Sequence, residues 1–387
     1  MRLTQSLWPV LALAGLLAAC SNKEVEPDPS PLPKLQSTAV HFDEQWSRSV
    51  GAGLSGQFLR LRPAVTEAAV FAVSNDGVVL AVDKASGKVL WKQETKTPFT
   101  GGVSAGYGLL FAGTGKGELV AMATDTGAVR WRAALSATVL SAAAVSADVV
   151  VVECADGKVY GLKRETGERI WTHDTLMPTL SLRGNATPMI VHDLVYIGTA
   201  NGKVEAVGLA DGAPQWDLRV ATNQGRSELE RMLDVDGDMV LDGDNTAFAV
   251  GFQSQLTAVD LSEGHRLWQY DLSSVQNLAT GLGNVYAVDT KGSVFAIDQQ
   301  SGKAVWKQPA LGYRHLVSPA AVGNLLLVGD YQGYVHVLQQ VDGHVVGRFR
   351  LGHWGGRSEV ASLVVDQGMV YAYSAGGQLS AWRLRTQ

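Results

Sequence analysis

Short apolar runs alternate with polar turn residues along almost the whole chain. One stretch carries such runs at 142–145, 149–153, 159–162 and 169–173. Runs of this length, rich in Val, Tyr and Thr and separated by Asp-Gly or Asn-Gly pairs, predict β-strands linked by hairpins. Over most of the chain no window of helical period competes with them. The pattern therefore predicts an all-β protein.

The apolar runs belong to a repeat in which a glycine stands four residues before a tryptophan, as in LAVDKASGKVLW and VAMATDTGAVRW. The repeat glycines lie 38 to 52 positions apart, and in the last repeat the tryptophan is lost: Gly87, Gly127, Gly167, Gly212, Gly264, Gly302 and Gly343. Four strands in roughly forty residues is typical of one β-propeller blade. We expect the repeated tryptophans to pack between neighbouring blades and to have a structural role.

The number of blades follows from a third-strand signature, of which DGVVLAVD is the first example. It occurs eight times, and the last copy, GGQLSAWR at 376–383, leaves no chain for a fourth strand. The segment VHFDEQW at 40–46 precedes any complete blade and can supply it. Pairing the two would remove exposed strand edges. The prediction is an eight-bladed β-propeller of four-stranded antiparallel blades, closed by pairing of an N-terminal strand with the C-terminal blade.

The N-terminus has the features of an export signal. Residues 7–19 are apolar but too few to span a bilayer, and they end in LAAC. This ending resembles the bacterial lipobox, which implies lipidation of Cys20; the alternative is ordinary cleavage with Cys20 incidental. We expect a signal peptide at 1–19, the lipidated cysteine and a flexible, proline-rich tether at 20–38, and the propeller at 39–387. Ser21 after the cysteine resembles lipoproteins that are sorted to the outer membrane.

Charge and composition exclude several classes of function. The chain has 37 acidic and 32 basic residues, interspersed, which does not suit a nucleic-acid binder. Its eight histidines are scattered without metal-ligand spacing, and it has no G-x-S-x-G motif. The aspartate-rich run 234–244 lacks the EF-hand glycine and glutamate, since Met239 and Asn245 stand there. We therefore expect no catalytic, cofactor or metal site. Cys154, in an apolar run, should be buried.

The repeat is broken at two places, and insertions between repeats often carry binding. The extra residues follow Trp171 and Trp216, in connections between neighbouring blades on the rim that also carries the Asp-Gly turns. The first insertion, HDTLMPTLSLRGNATP, holds the apolar residues Met177, Leu180 and Leu182. Apolar side chains in a loop beside an arginine are typical of an interface. The alternative is that the loop folds back onto its blade.

The second insertion, NQGRSELERMLDVDGD, begins with a capping box. Its Leu229, Met232 and Leu233 follow a helical period, which predicts a short helix packed against the ring. The helix leads directly into Asp234 and Asp236. The two insertions are adjacent around the ring, so together they should form one raised patch.

The repeats resemble those of the quinoprotein dehydrogenase propellers, which share the A-x-D-x-x-x-G-x-x-x-W pattern. That resemblance makes a periplasmic dehydrogenase dependent on pyrroloquinoline quinone the alternative function. Such enzymes typically stack a pair of adjacent cysteines on the quinone, but the propeller here holds Cys154 alone. The alternative is therefore disfavoured, and we expect a protein that is not an enzyme.

A more specific resemblance covers essentially the whole chain. The lipobox, the eight repeats, LSLRG after the third tryptophan, DVD after the fourth and VGDYQGYVH in the seventh blade resemble the BamB family. These are the lipoprotein B subunits of the outer-membrane β-barrel assembly machinery. The resemblance implies a scaffold on the periplasmic face of the outer membrane that assists assembly and insertion of β-barrel proteins. It also implies docking to the POTRA domains of the central, BamA-like subunit through Leu180, Leu182, Arg183, Asp234 and Asp236. Nascent outer-membrane proteins are a further possible partner, bound through side chains or by β-augmentation on strand edges.

Overall fold

The structure is a computed structural model that describes residues 26–35, 40–182, 185–221, 233–352 and 359–385. Every regular element in these residues is a β-strand, and the strands form eight four-stranded antiparallel sheets arranged as the blades of a propeller. This confirms the predicted fold class. Nowhere in the described ranges is there a helix with the length and hydropathy needed to cross a bilayer.

The first four blades follow the chain in order. Blade one contains β2 (Ala64–Val65), β3 (Ala69–Val73), β4 (Val78–Asp83) and β5 (Val89–Glu94). Blade two contains β6 (Phe99–Gly106), β7 (Leu109–Thr114), β8 (Glu118–Ala123) and β9 (Val129–Ala134). Blade three contains β10 (Ala144–Val145), β11 (Val149–Glu153), β12 (Lys158–Lys163) and β13 (Arg169–Asp174). Blade four contains β14 (Met189–Val191), β15 (Leu194–Gly198), β16 (Lys203–Gly208) and β17 (Pro214–Arg219).

The remaining blades repeat the pattern until the last one. Blade five contains β18 (Val240–Asp242), β19 (Thr246–Ala249), β20 (Leu256–Asp260) and β21 (His265–Tyr270). Blade six contains β22 (Ala279–Gly281), β23 (Asn284–Val288), β24 (Val294–Asp298) and β25 (Ala304–Gln308). Blade seven contains β26 (Ala320–Val322), β27 (Leu325–Gly329), β28 (Tyr334–Gln339) and β29 (Val345–Arg350). Blade eight contains β30 (Val360–Asp366), β31 (Met369–Ser374), β32 (Gln378–Leu384) and β1 (Phe42–Ser49).

The strand order gives the propeller two different rims. Within a blade each strand pairs with the next one along the chain. The turns between first and second strands, and between third and fourth strands, therefore lie on one rim, here called the hairpin rim. The turns between second and third strands and the connections between blades lie on the other, here called the loop rim. Both insertions lie on the loop rim, as the sequence predicts.

The ring closes through β1, which pairs antiparallel with β32. The pairing runs from Phe42 opposite Leu384 to Ser49 opposite Gln378. The predicted closure of the C-terminal blade by an N-terminal strand is confirmed. Closure removes the two edges that an open array would expose.

The repeated glycine and tryptophan meet between neighbouring blades. Gly127 has a φ of 70°, and a Cβ there would lie 2.6 Å from Cε3 of Trp91 in the preceding blade. The indole N–H of Trp91 donates to the carbonyl of Thr124 at 2.8 Å. Only glycine fits both the left-handed backbone and the indole face. The contact recurs six times: Trp46 on Gly87, Trp131 on Gly167, Trp171 on Gly212, Trp216 on Gly264, Trp268 on Gly302 and Trp306 on Gly343.

The missing tryptophan of the last repeat has a structural cause. Blade eight ends its third strand at the C-terminus and takes its fourth from the N-terminus, so it has no hairpin glycine to receive an indole. At the tryptophan position of blade seven stands Gly347, and a Cβ there would lie 2.7 Å from the carbonyl oxygen of Val40. The chain that enters β1 therefore occupies the space that a side chain would need.

Part of the N-terminal segment is described and contacts the ring, and one of the two cysteines lies in the described part of the chain. Residues 29–35 lie against the ring, where the Ser30 N–H donates to the Gly312 carbonyl at 2.9 Å. Cys20 lies outside the described residues, so its lipidation and the boundaries of signal, tether and propeller stay predictions. Cys154 is buried as expected, and burial raises the pKa of its thiol to about 12. A thiol held protonated in this way is unreactive.

Candidate docking surface

The two insertions touch each other on the loop rim. The first connects β13 to β14 and the second connects β17 to β18. The backbone N–H of Leu182 donates to Oδ2 of Asp234 at 3.1 Å. The N–H of Thr187 donates to Oδ1 of Asp238 at 2.7 Å. Carboxylates of the second connection therefore hold the backbone of the first, which joins the insertions into one surface.

Three leucines of the first connection face solvent. Leu176, Leu180 and Leu182 are 72%, 43% and 38% exposed, and we call them the leucine patch. Met177 is half-buried instead, because it packs over Gly157, where a Cβ would lie 2.6 Å from its Cγ. The loop therefore folds back at Met177 and leaves its leucines outward. Leu176 is a member that sequence reasoning did not single out.

Asp234 and Asp236 lie beneath this patch rather than on it. Each residue is 1% exposed. The family resemblance implies that they contact the partner, which stays a prediction; in this structure their side chains are buried. Through the bond from its amide to Asp234, Leu182 is fixed in its exposed position. Arg183, also predicted as a contact, lies outside the described residues.

The two aspartates form a pair that shares a proton. Burial, followed by the negative charge of Asp236, raises the pKa of Asp234 to about 8. Asp236 accepts a hydrogen bond from Asp234, and burial raises its pKa as well, against the opposing charge of Arg60. Between the raised pKa of Asp236 and its own higher pKa, Asp234 is therefore a neutral acid beside a carboxylate.

A third buried acid, Glu153 of β11, lies close to the pair. Burial raises its pKa well above the ordinary range, and the charges of Asp234 and Asp236 raise it further, while a hydrogen bond from Asn185 opposes the shift. Burial therefore favours the uncharged form of Glu153, which limits the repulsion within the cluster.

The positive charge that faces this cluster comes from a distant part of the chain. Arg60 lies in the connection from β1 to β2, and its guanidinium donates to the backbone carbonyls of Asp236 and of Val275, the latter at 2.7 Å. Its Nη2 lies 3.9 Å from Oδ2 of Asp236. Arg62 of the same connection forms an ion pair with Asp238 at 3.6 Å. Sequence reasoning missed both arginines, since they lie outside the repeat and far from the insertions.

The mouth of a cavity at the centre of the loop rim opens beside Leu182 of the leucine patch. The cavity there has a volume of about 510 Å³, and Leu182 and Arg60 line it together with Leu140 and Val317. Phe58, on the connection that carries Arg60, is fully exposed at its edge. Apolar side chains therefore continue from the leucine patch across the mouth.

The aspartate-rich run does not gather into an ion site. Asp234 and Asp236 are buried, Asp238 binds Arg62 and the side chain of Asn277, and Asp242 is exposed in β18. Within the ranges that the structure describes, no group of His, Cys, Asp and Glu is arranged to hold a metal ion.

The helix expected before Asp234 falls on residues 222–232, which lie outside the described residues, and it stays a prediction. Leu233, the last member of its apolar stripe, is described and buried against Gly202, where a Cβ would lie 3.3 Å from the leucine Cβ.

Comparison with known proteins identifies the family. The sequence model of a family described as outer membrane protein assembly factor BamB matches residues 75–308. The outer membrane protein assembly factor BamB of Pseudomonas aeruginosa is 41% identical over 377 residues, which cover 97% of this chain and 98% of the relative. The chain belongs to the BamB family. BamB of Escherichia coli is 31% identical over 372 residues, which cover 93% of this chain and 94% of the relative.

Solved structures agree with this family. BamB from Moraxella catarrhalis superposes with a TM-score of 0.80 at 29% identity, covering 89% of this chain and all of that one. Quinohemoprotein alcohol dehydrogenase from Comamonas testosteroni superposes with a TM-score of 0.70 at 13% identity, covering 88% of this chain and 76% of the enzyme, which shows the fold alone. The predicted family is confirmed. The BamB relatives are named as assembly factors, and the chain, like them, is a non-enzymatic assembly factor.

Proposed function

We propose that this chain is a lipid-anchored scaffold of the outer-membrane β-barrel assembly machinery. It is held by Cys20 at the periplasmic face of the outer membrane and docks to the POTRA domains of the central, BamA-like subunit. Its BamB relatives are named as outer membrane protein assembly factors, which supports this role. In this role it assists the assembly and insertion of outer-membrane β-barrel proteins.

The observation that carries the docking site is the leucine patch. Leu176, Leu180 and Leu182 are exposed on one loop. Fully burying an exposed leucine is worth about 1.5–3 kcal/mol, so covering these partly exposed side chains would contribute a fraction of that from each. A few such apolar anchors dominate the energy of most interfaces. Arg183 follows Leu182 in the chain and would set orientation and the rate of encounter.

Asp234 and Asp236 have a supporting role in this proposal. Since both are buried, they act by holding the loop in its exposed geometry, through the Leu182 amide and through Arg60. A loop fixed before binding loses less conformational entropy when the partner docks. The aspartates are therefore positioning residues, and the leucines are the contacts.

The test is a substitution in the full chain. Leu182→Asp combined with Arg183→Glu should abolish co-purification with the central subunit and weaken binding to its isolated POTRA domains more than about tenfold, because an apolar anchor becomes a desolvated charge. Binding is measured by calorimetry and folding by circular dichroism.

Leu282→Asp is the matched control, since Leu282 is 64% exposed on the hairpin rim. It should leave binding unchanged. Unaltered co-purification of the Leu182 and Arg183 variant, with the ring intact, would reject the docking site.

A further inference from the structure

Part of the N-terminal segment lies on the outside of blade seven as a strap, which we define as residues 29–35. At one end the Ser30 N–H donates to the Gly312 carbonyl at 2.9 Å. Further along, the Pro33 carbonyl accepts a hydrogen bond from the guanidinium of Arg348 in β29. Val40 then passes over Gly347 of the same strand. The strap therefore follows the outermost strand of blade seven.

The strap supplies a hydrogen-bond acceptor to a buried arginine of the ring. Arg314 is 3% exposed, and its Nε and Nη2 donate to Oδ2 of Asp330 at 2.9 Å and 2.6 Å. Asp330 also lies 2.9 Å from Nε2 of the buried His336. The remaining terminal nitrogen, Nη1 of Arg314, donates to the Ser30 carbonyl at 2.9 Å. A buried guanidinium N–H without a partner is costly, so the ring itself favours the docked strap.

The docked strap decides at which rim the N-terminal chain separates from the propeller. Gly312 and Arg314 lie in the connection from β25 to β26, which is on the loop rim. Phe42, where β1 begins, lies at the hairpin rim, because it pairs with Leu384 at the end of β32. Between Ser30 and Phe42 the chain therefore crosses the whole blade, from one rim to the other.

We propose that the docked strap orients the propeller on the membrane. The part of the loop rim between blades six and seven then lies nearest to the bilayer. This inference rests on the proposed lipidation of Cys20. With the strap docked, only the ten residues from Cys20 to Ser30 remain to reach the bilayer, a span of at most about 35 Å. Without it, the span from Cys20 to Phe42 would reach up to about 75 Å and would start at the hairpin rim.

The anchor and the leucine patch then share a rim but lie on different sides of the ring. The strap docks between blades six and seven, whereas the leucine patch lies between blades three and four. A partner bound to the leucine patch would contact the rim that faces the membrane without touching the strap. The strap therefore sets the orientation in which the docking surface is presented.

The orientation is measurable by energy transfer from two positions on blade six. Lys291 lies in an exposed turn of the loop rim and Gln300 in an exposed hairpin of the hairpin rim. A donor dye on Lys291→Cys or Gln300→Cys of the full-length lipoprotein is combined with vesicles of phosphatidylethanolamine and phosphatidylglycerol that contain an acceptor-labelled lipid. We expect transfer from position 291 to exceed that from position 300 at least about twofold, in line with the short span.

Replacing residues 29–33 by Gly-Ser-Gly-Ser-Gly should remove the difference in energy transfer between positions 291 and 300. Arg348→Met, which removes the hydrogen bond from the ring to the Pro33 carbonyl, should reduce that difference. The matched control replaces the exposed residues 26–28 by Gly-Ser-Gly and should keep the difference. Hydrogen exchange of the full chain in detergent tests the strap without a membrane, and the Ser30 amide should be protected.

Each result decides a separate part of the inference. An unprotected Ser30 amide would refute the strap. Vesicle-bound protein with equal transfer from both positions, or a difference that survives replacement of residues 29–33, would refute the orientation alone. A full chain that fails to float with vesicles would refute the lipid anchor, and the orientation with it, while the POTRA-binding test would still stand.

Discussion

The two rims of this propeller are built in different ways. On the hairpin rim one contact, an indole against a glycine, occurs between seven successive pairs of blades. On the loop rim, backbone hydrogen bonds also recur from blade to blade, but three side-chain contacts occur once each: Leu182 with Asp234, Arg60 with Asp236, and Ser30 with Arg314. A repeated contact serves the stacking that every blade needs, whereas a contact made once serves a particular place.

The comparison indicates which rim stabilises the ring and which rim carries the candidate docking surface. The seven indole contacts bury apolar surface between blades, and in six of them the indole N–H donates a hydrogen bond, so they hold the ring together. The loop rim instead contains buried acids with raised pKa values and exposed leucines. Such arrangements cost stability and are found where a surface is shaped for a partner.

The largest effect is expected on the hairpin rim, from Gly127→Ala. The added methyl would have to lie in the left-handed region and 2.6 Å from the ring of Trp91, so we expect a loss of about 2–4 kcal/mol in the free energy of unfolding. Gly243→Ala is the control, with a φ of 63° and open space around the new methyl, and should lose only about 1 kcal/mol. Urea unfolding measures both, and equal losses would contradict a role for the indole contact.

A smaller effect, dependent on pH, is expected on the loop rim from Asp234→Asn. The pKa of Asp234 is raised from about 3.9 in the unfolded chain to about 8, so its contribution to stability is complete below pH 4 and is lost as the pH rises through 8. Asparagine keeps an oxygen for the Leu182 amide and an N–H for Asp236 but does not ionise. We therefore expect the variant to gain about 1–3 kcal/mol relative to the wild type between pH 5 and pH 9.

Urea unfolding at a series of pH values checks this expectation. Glu153 and Asp236 also have raised pKa values, so part of the pH dependence should remain in the Asp234→Asn variant. A stability difference between variant and wild type that stays constant from pH 5 to pH 9 would show that Asp234 is ionised in the folded and the unfolded state alike, so that its pKa is not raised by folding.

The smallest effect compares two tryptophans of the hairpin rim. The indole N–H of Trp268 donates to the Gln299 carbonyl at 2.8 Å, whereas that of Trp216 is buried and has no partner among the described residues. Since phenylalanine has no N–H, Trp268→Phe should cost about 1 kcal/mol more than Trp216→Phe. Thermal unfolding of the two variants side by side measures the difference, and the reverse order would contradict the hydrogen-bond assignment.

Much of the fold could be predicted from the sequence because blades are local. A strand such as β11 pairs with the strands that precede and follow it, so its alternation and turns suffice to place it. Even the closure by β1 follows from counting strands. In the docking surface, the exposure of Leu180 and Leu182 agrees with their apolar character in a loop.

The rest of the docking surface could not be read in this way. Asp234 and Asp236 stand in a polar run, which suggested an exposed position, yet they are buried because the first insertion folds over them. Arg60 and the strap residue Ser30 have no periodic signal at all. Their partners are far away in the sequence, and no local pattern encodes such a distance.

The sequence by itself determined the strand pattern, the blade count and the position of the two insertions, since these depend on interactions between residues close together in the chain. Only the tertiary structure decided which side chains of the insertions face outward, that Arg60 lies against the buried acids, and that residues 29–35 lie along blade seven. Those outcomes depend on the closure of the ring, which brings together segments that the repeat keeps apart.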